Sequence, residues 1–145
     1  MDEPAAAARV VVGVDGSAAS VQALRLASRL APALETTIEA VACWDSPRPL
    51  PLGRLEEEME RVLGEAVERA FGSSPPAALT SSVVRGHPAE VLLEKARGAR
   101  LLILGRRGQG GFRGLLLGSV SSACVEHAAC PVLVVHDQPT EPAAK

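Results

Sequence analysis

Aromatic side chains are almost missing from this 145-residue chain: Trp44, Phe71 and Phe112 are the whole set, and there is no tyrosine. Stacking platforms of the kind that single-strand nucleic-acid binders use are therefore nearly absent. Lysine is as scarce, at Lys95 and Lys145 alone, so arginine carries most of the positive charge. The net charge of -2 gives no electrostatic case for nucleic acid or an anionic membrane. Three cysteines, an odd and sparse set, argue against a secreted disulfide framework. No apolar run approaches the roughly 18 residues of a membrane span. The opening MDEPAAAARVVVGVD has no basic region ahead of its apolar stretch, so it does not read as a signal peptide. A cytoplasmic single domain is the expectation, long enough to bury about two-thirds of its unfolded surface. With aromatics so few, its core has to be aliphatic.

What is present is an alternation of two patterns. Residues 1–8 read as a frayed leader. Arg9–Asp15 (RVVVGVD) is continuously apolar up to its aspartate, as a parallel strand buried on both faces would be. Gly16 and Ser17 punctuate it, and helical spacing of Val21, Leu24, Ala27, Ala31 and Leu34 predicts a helix over about 18–33. Thr36–Cys43 reads as a second strand. Prolines 47, 49 and 51 make 44–53 a loop. Leu55, Met59, Val62, Leu63, Ala66, Val67 and Ala70 trace a helical stripe, with Glu57–Arg61 and Glu65–Arg69 expected to pair on its wet side. Leu79–Arg85 is a third, more polar strand, expected nearer an edge. Gly86-His87-Pro88 opens a third helix that Gly98 closes, with His87 a loop or cap residue. Leu101–Leu104 is a fourth strand, about 119–129 a fourth helix, and Pro131–His136 a fifth strand whose final histidine lies at the surface. Residues 137–145 are a polar tail.

Strands alternating with helices predict a single-domain α/β fold, an open parallel five-stranded sheet covered on both faces with right-handed crossovers. Such sheets bind ligands beyond the strand carboxyl ends, where the winding reverses. The two strands with ligand-like ends are the first, at Asp15, and the fourth, at Gly105. After the fourth strand comes GRRGQGGFRGLLLGSVS, glycine-rich and leading into a helix start. In physical terms this is a phosphate cradle: glycines let N–H groups turn inward, and the helix start offers unpaired donors and partial positive charge. It is not a Walker loop, since no glycine precedes a lysine, and not a Rossmann fingerprint, since Arg113 stands where the third glycine belongs. The plain reading of such a loop is a mobile connection. Its strand-to-helix context, the serine at the helix start, and Arg106, Arg107 and Arg113 weigh against that.

The spacing Gly105-x2-Gly108-x9-Gly118-Ser119 resembles the ATP-binding signature of the universal stress protein family. Val14-Asp15-Gly16-Ser17 is similar to that family's N-terminal motif, Gly86-His87-Pro88-Ala89-Glu90 to the start of its third helix, and Cys130–Val135 to its closing strand. The resemblance covers about residues 9–136, with the motifs in the family's order. It implies an adenine-nucleotide α-hydrolase-like sheet of order 3-2-1-4-5, with strands one and four adjacent. It also implies a site for ATP with Mg²⁺: Asp15 toward the adenine or ribose, with Gly13 and Val14 lining the base. Cys43 and Leu104 edge the pocket, Gly105 and Gly108 approach the ribose and phosphates, and Gly118, Ser119, Val120 and Ser121 hold the phosphates. A homodimer through Pro131–His136 and an unidentified protein partner follow from the same resemblance, with ATP acting as a switch. Binding of AMP or cyclic AMP, a scaffold without nucleotide, and slow ATP hydrolysis are the alternatives. Taken as residues alone, Asp15 is either a helix cap or a ligand contact, and Ser119 and Ser121 either cap the fourth helix or bind phosphate, two roles that are compatible. Arg106 and Arg107, where family members often carry a smaller polar residue, either strengthen phosphate binding or fold outward.

Cys124-x2-His127-x2-Cys130 invites a metal reading. Three residues at i, i+3 and i+6 spread around a helix, however, and no second cluster completes a ligand set, so no metal ligand is assigned. Neither is a catalytic residue: His87, His127 and His136 have no serine or cysteine that the sequence places beside them. The pyrophosphatase pattern SGGxDS is absent, the first loop reading DGS.

Overall fold

A computed structural model describes residues 8–45, 52–106 and 117–136. Residues 1–7 of the leader expected over 1–8, the centre of the proline loop, the glycine-rich segment 107–116 with Gly108, and the tail lie outside the described residues.

The chain runs β1 (Arg9–Gly13), α1 (Ala18–Leu34), β2 (Thr37–Trp44), α2 (Leu52–Phe71), β3 (Leu79–Arg85), α3 (Pro88–Ala96), β4 (Leu101–Gly105), α4 (Ser119–His127) and β5 (Val132–Val135). The strands form one sheet of order β3-β2-β1-β4-β5, every pair parallel. The expected architecture and order are the observed ones. β1 lies at the centre and contributes Val10, Val11 and Val12, all fully buried, which is why its sequence shows no polar alternation. β3, the most polar strand, is an edge.

The windings put α1 and α2 on one face and α3 and α4 on the other. On the first face Val10, Val12, Leu24, Ala27, Ile38, Leu63 and Ile103 pack into an aliphatic cluster. On the second, Val11, Val41, Leu92, Leu102, Leu104 and Cys124 form a smaller one. Gly13 leaves room for Leu92 of α3 and Leu104 of β4 to pack against the end of β1. A Cβ there would stand 2.7 Å from Leu104 Cδ2 and 3.0 Å from Leu92 Cδ1.

Boundaries differ from expectation in ways that hydrogen bonds explain. Thr36 is not in β2: its N–H donates to Ala31 O at 3.0 Å, closing α1, where Glu35 is left-handed at φ 56°. β1 ends at Gly13 rather than Asp15, because Val14 makes the last bridge, to Val41 O at 2.8 Å, and Asp15 then turns. α2 begins at Leu52, inside the stretch expected to be loop. Its outer ion pairs are also redistributed. Arg61 binds Glu58 and Glu65 rather than Glu57, leaving Arg69 to find a different acceptor.

The second face carries a charge the pattern of β2 did not explain. Glu39 lies within a strand, its side chain 14% exposed, and receives Lys95 Nζ at 2.6 Å and Arg9 Nε at 3.3 Å. Ser82 Oγ donates to the same carboxylate at 3.0 Å. Burial pushes this carboxyl's pKa up, but Lys95, Ser82 and Arg9 together outweigh it and hold the group below its ordinary value. One side chain thus ties β1, β2, β3 and α3.

Candidate functional site

The winding reverses between β1 and β4, and these two strands are neighbours, with Val10 beside Leu101, Val11 beside Leu102 and Val12 beside Ile103. Continuing that register brings Gly13 beside Leu104 and Val14 beside Gly105. The carboxyl ends of both strands therefore open at one place, as required of a ligand crevice in an open α/β sheet.

From β1, the chain turns through Asp15, Gly16 and Ser17. Gly16 sits at φ 87°, where a side chain would be strained. Asp15 Oδ1 accepts from Ser17 N at 2.9 Å, a local turn bond. The cap of α1 is Ser17, whose Oγ accepts from Ser20 N at 3.2 Å. Asp15 thus shapes the turn that precedes the helix and leaves the capping to Ser17.

From β4, Gly105 leads to Arg106, whose N–H donates to Val135 O at 2.7 Å and whose carbonyl accepts from Gly118 N at 2.8 Å. Gly118 is the N-cap of α4 and makes no side-chain cap bond. Ser119, at the first helical position, is exposed, while Ser121 is buried and donates from Oγ to Gly105 O at 2.5 Å. That bond ties the start of α4 to the end of β4. The first amide returned to this helix end is Ser122 N, to Gly118 O at 2.8 Å. The amides of residues 119–121 come before any intrahelical acceptor, which is the arrangement that suits an anion.

The structure brings Gly13, Val14, Asp15, Leu104, Gly105, Gly118, Ser119, Val120 and Ser121 to this carboxyl-end region. Gly108 falls outside the described residues. Cys43 lies two residues beyond Val41, the β2 partner of Gly13, and so reaches the same end of the sheet. Its side chain packs against the α3–α4 cluster, where burial first, and neighbouring Cys124 second, push its thiol up to about 11. It is a partly buried thiol packed on the second face. Cys124, fully buried, is likewise pushed up to about 11 by burial and by Cys130, whereas His127 is exposed and lies 3.6 Å from Glu126. Among the described residues no three His, Cys, Asp or Glu side chains are grouped to hold a metal ion. His87 caps α3, its Nδ1 accepting from Ala89 N at 3.2 Å.

Two contacts at the site were not visible in the sequence. Arg69 Nη1 donates to Gly16 O at 3.2 Å, and Arg25 reaches the end of α2, with Nη2 donating to Arg69 O at 2.8 Å. Separations of 53 and 44 positions leave no local signal for either. A groove of about 550 Å³ lies between α3 and β3, lined by Arg9, Arg85, His87, Glu90, Lys95 and Arg97 among others. It is away from the switch point, and Glu39 already engages two of its cations.

Compared with known proteins, residues 7–136 match the model of the universal stress protein family. A universal stress protein of Mycobacterium tuberculosis is 36% identical over 146 residues, covering 94% of this chain and 46% of its own length. One from Mycolicibacterium smegmatis is 39% identical over 132 residues, covering 87% of this chain and 45% of its own. The chain thus spans about half the length of these curated relatives. Among solved structures, a universal stress protein in complex with cAMP is 28% identical, with a TM-score of 0.61, covering 92% of this chain and 99% of its own. UspA from Lactobacillus plantarum shares the fold at 23% identity and a TM-score of 0.67, covering 91% of this chain and 99% of its own. In the described residues no helix is long and apolar enough to cross a membrane.

Proposed function

The chain belongs to the universal stress protein family, and on that premise we propose that it is an ATP-binding member acting as a cytoplasmic nucleotide-dependent switch with little or no turnover. The observation that carries this is the junction of β4 with α4. Ser121 Oγ on Gly105 O fixes the first turn of α4 at the switch point, beside the turn that holds Asp15. Phosphates take the amides of residues 119–121 and the Ser119 hydroxyl, and the Asp15 carboxylate accepts from the base or sugar. The space left by the missing Gly13 side chain is taken by Leu104 and Leu92, and Gly13, Val14, Cys43 and Leu104 together back the base side of the site. Gly108 belongs to the same phosphate loop by its place in the signature. Mg²⁺ enters as the counter-ion of the triphosphate, and no protein ligand is assigned to it.

In this reading a second copy pairs through β5. Its four apolar residues are all half-buried at a sheet edge, where an uncovered strand is an association hazard. A downstream protein partner reads the nucleotide state. The second reading is a cyclic AMP or AMP binder acting as a dimeric scaffold, and the neighbour solved with cAMP favours it.

Calorimetric titration of nucleotide-stripped protein with Mg-ATP, AMP and cAMP separates the readings. Micromolar ATP binding, weakened about tenfold or more by Gly118→Ala/Ser119→Ala, supports the switch. Tighter binding of cAMP than of ATP selects the second reading. No binding of any of the three overturns both.

A further inference from the structure

The groove between α3 and β3 lies on the second face of the sheet, apart from the β1–β4 switch point, and much of the charge lining it is already matched. Arg97 Nη1 faces Glu94 Oε1 at 3.7 Å, and Arg85 stacks on Trp44 with its guanidinium 5.3 Å from the ring centre. What is left over sits at the two ends. At one end Lys95 and Arg9, with side chains 30% and 25% exposed, share the single carboxylate of Glu39, so this half-buried cluster carries one surplus positive charge. Arg9 Nη2 is taken up by the carbonyls of Lys95 and Arg97. Among the described residues, however, Lys95 Nζ has no acceptor besides Glu39, and Arg9 Nη1 has none. At the other end Glu90 is exposed and pairs with no described cation.

Between the ends, both walls turn apolar at the same offset. Ser82, which donates to Glu39, and Val84 stand on the same side of β3, about 7 Å apart. Lys95 and Val91 share a face of α3, about 6 Å apart along its axis. α3 runs back against the strands, so each step leads from the charged cluster toward the carboxyl end of the sheet. Val84 and Val91 line the groove and are only half-buried, which leaves apolar surface open to it. We propose that the groove binds a small aliphatic monocarboxylate, its carboxylate on Lys95 Nζ and Arg9 Nη1 and its tail along Val84 and Val91. The surplus charge selects an anion, and the two valines select a tail of about four to six carbons. Glu90 turns away a second carboxylate at the far end. This site is independent of the nucleotide reading.

Titration of the intact chain with hexanoate, followed by amide chemical shifts, should move Val84, Val91 and Lys95 and leave Gly118–Ser121 in place, with a Kd of about a millimolar. Acetate has the charge without the tail, and hexylamine the tail with the opposite charge. Each should bind at least about tenfold more weakly, and so should the dicarboxylate adipate. Glu39→Gln gives a sign that a merely structural role does not produce. It frees both cations of their competitor, so hexanoate should bind about three- to tenfold more tightly while the fold itself loses stability. Lys95→Gln, which leaves Glu39 with Arg9 and Ser82, should weaken hexanoate about tenfold. Hexanoate binding no tighter than acetate or hexylamine overturns the proposal, as do shifts centred elsewhere. So does a Glu39→Gln variant that binds it no better, or undiminished binding to Lys95→Gln.

Discussion

Helices α1 and α2 run for 17 and 20 residues, whereas α3 and α4 run for 9 each, yet both pairs have to cover the same sheet. The long pair covers its face almost entirely with apolar side chains, mostly aliphatic, with Phe71 and Met59 at its margin. The short pair leaves part of its face to polar groups: α3 lies over β1 and β2, and beside it Glu39 and Ser82 fill the region next to β3 with a bonded cluster. The two faces therefore do different work. Burial on the first drives folding non-directionally. The cluster on the second requires four elements to meet at set distances, and a half-buried charge of this kind returns little net energy while penalising the wrong register.

The largest effect should come from opening the aliphatic face. Leu24 is fully buried there, and Leu24→Ala should lower unfolding free energy by about 2–5 kcal/mol in urea titration. A loss under 1 kcal/mol would mean that this face is loosely packed, and the contrast would collapse. Glu39→Gln comes next, at about 1–3 kcal/mol, since it leaves Arg9 and Lys95 facing a neutral group. This effect has a pH signature. The carboxyl is held below its ordinary value in the folded chain, so its contribution is present above the unfolded value of about 4.3 and drains away as pH falls through the folded one. Between about pH 5 and pH 3 the unaltered protein should lose more stability than Glu39→Gln. Parallel losses would remove Glu39 from its role.

Thiol labelling tests how tightly the second face closes. Cys43 and Cys124 are held protonated, both pushed up to about 11, so alkylation of the native protein near neutral pH should reach Cys130 first and Cys124 last. Early loss of Cys124 by mass spectrometry would show that α4 lifts from the sheet. The smallest effect belongs to Arg61→Ala. Its bonds to Glu58 and Glu65 lie on the exposed side of α2, and the unfolding midpoint should not move measurably.

Legibility followed the same division. The aliphatic face is written locally: Val10 and Val12, the stripe from Leu55 to Ala70, and β3 from Leu79 to Arg85 were all readable from period and punctuation. The strand order came from the family resemblance, and the ligand-like ends of β1 and β4 came from the residues themselves. Glu39 drew no notice within the second strand, because its partners stand 30 residues before it, at Arg9, and 43 and 56 after it, at Ser82 and Lys95. The outer pairs of α2 were misassigned because 3- and 4-residue spacings compete and sequence does not rank them. At the site, the signature marked Gly105, Gly118 and Ser119. It said nothing of the Arg69–Gly16 contact, which depends on where one helix happens to end beside another.

The Arg106–Gly118 bond has a practical side. The Arg106 carbonyl just after β4 and the Gly118 amide at the cap of α4 are joined by one 2.8 Å hydrogen bond, so the two ends of the connection are held together. Loop-closure entropy rises only logarithmically, so doubling this segment adds about 0.6 kcal/mol. Lengthening this connection therefore costs the fold little, whereas Gly108 of the signature makes the same change costly to the proposed nucleotide site.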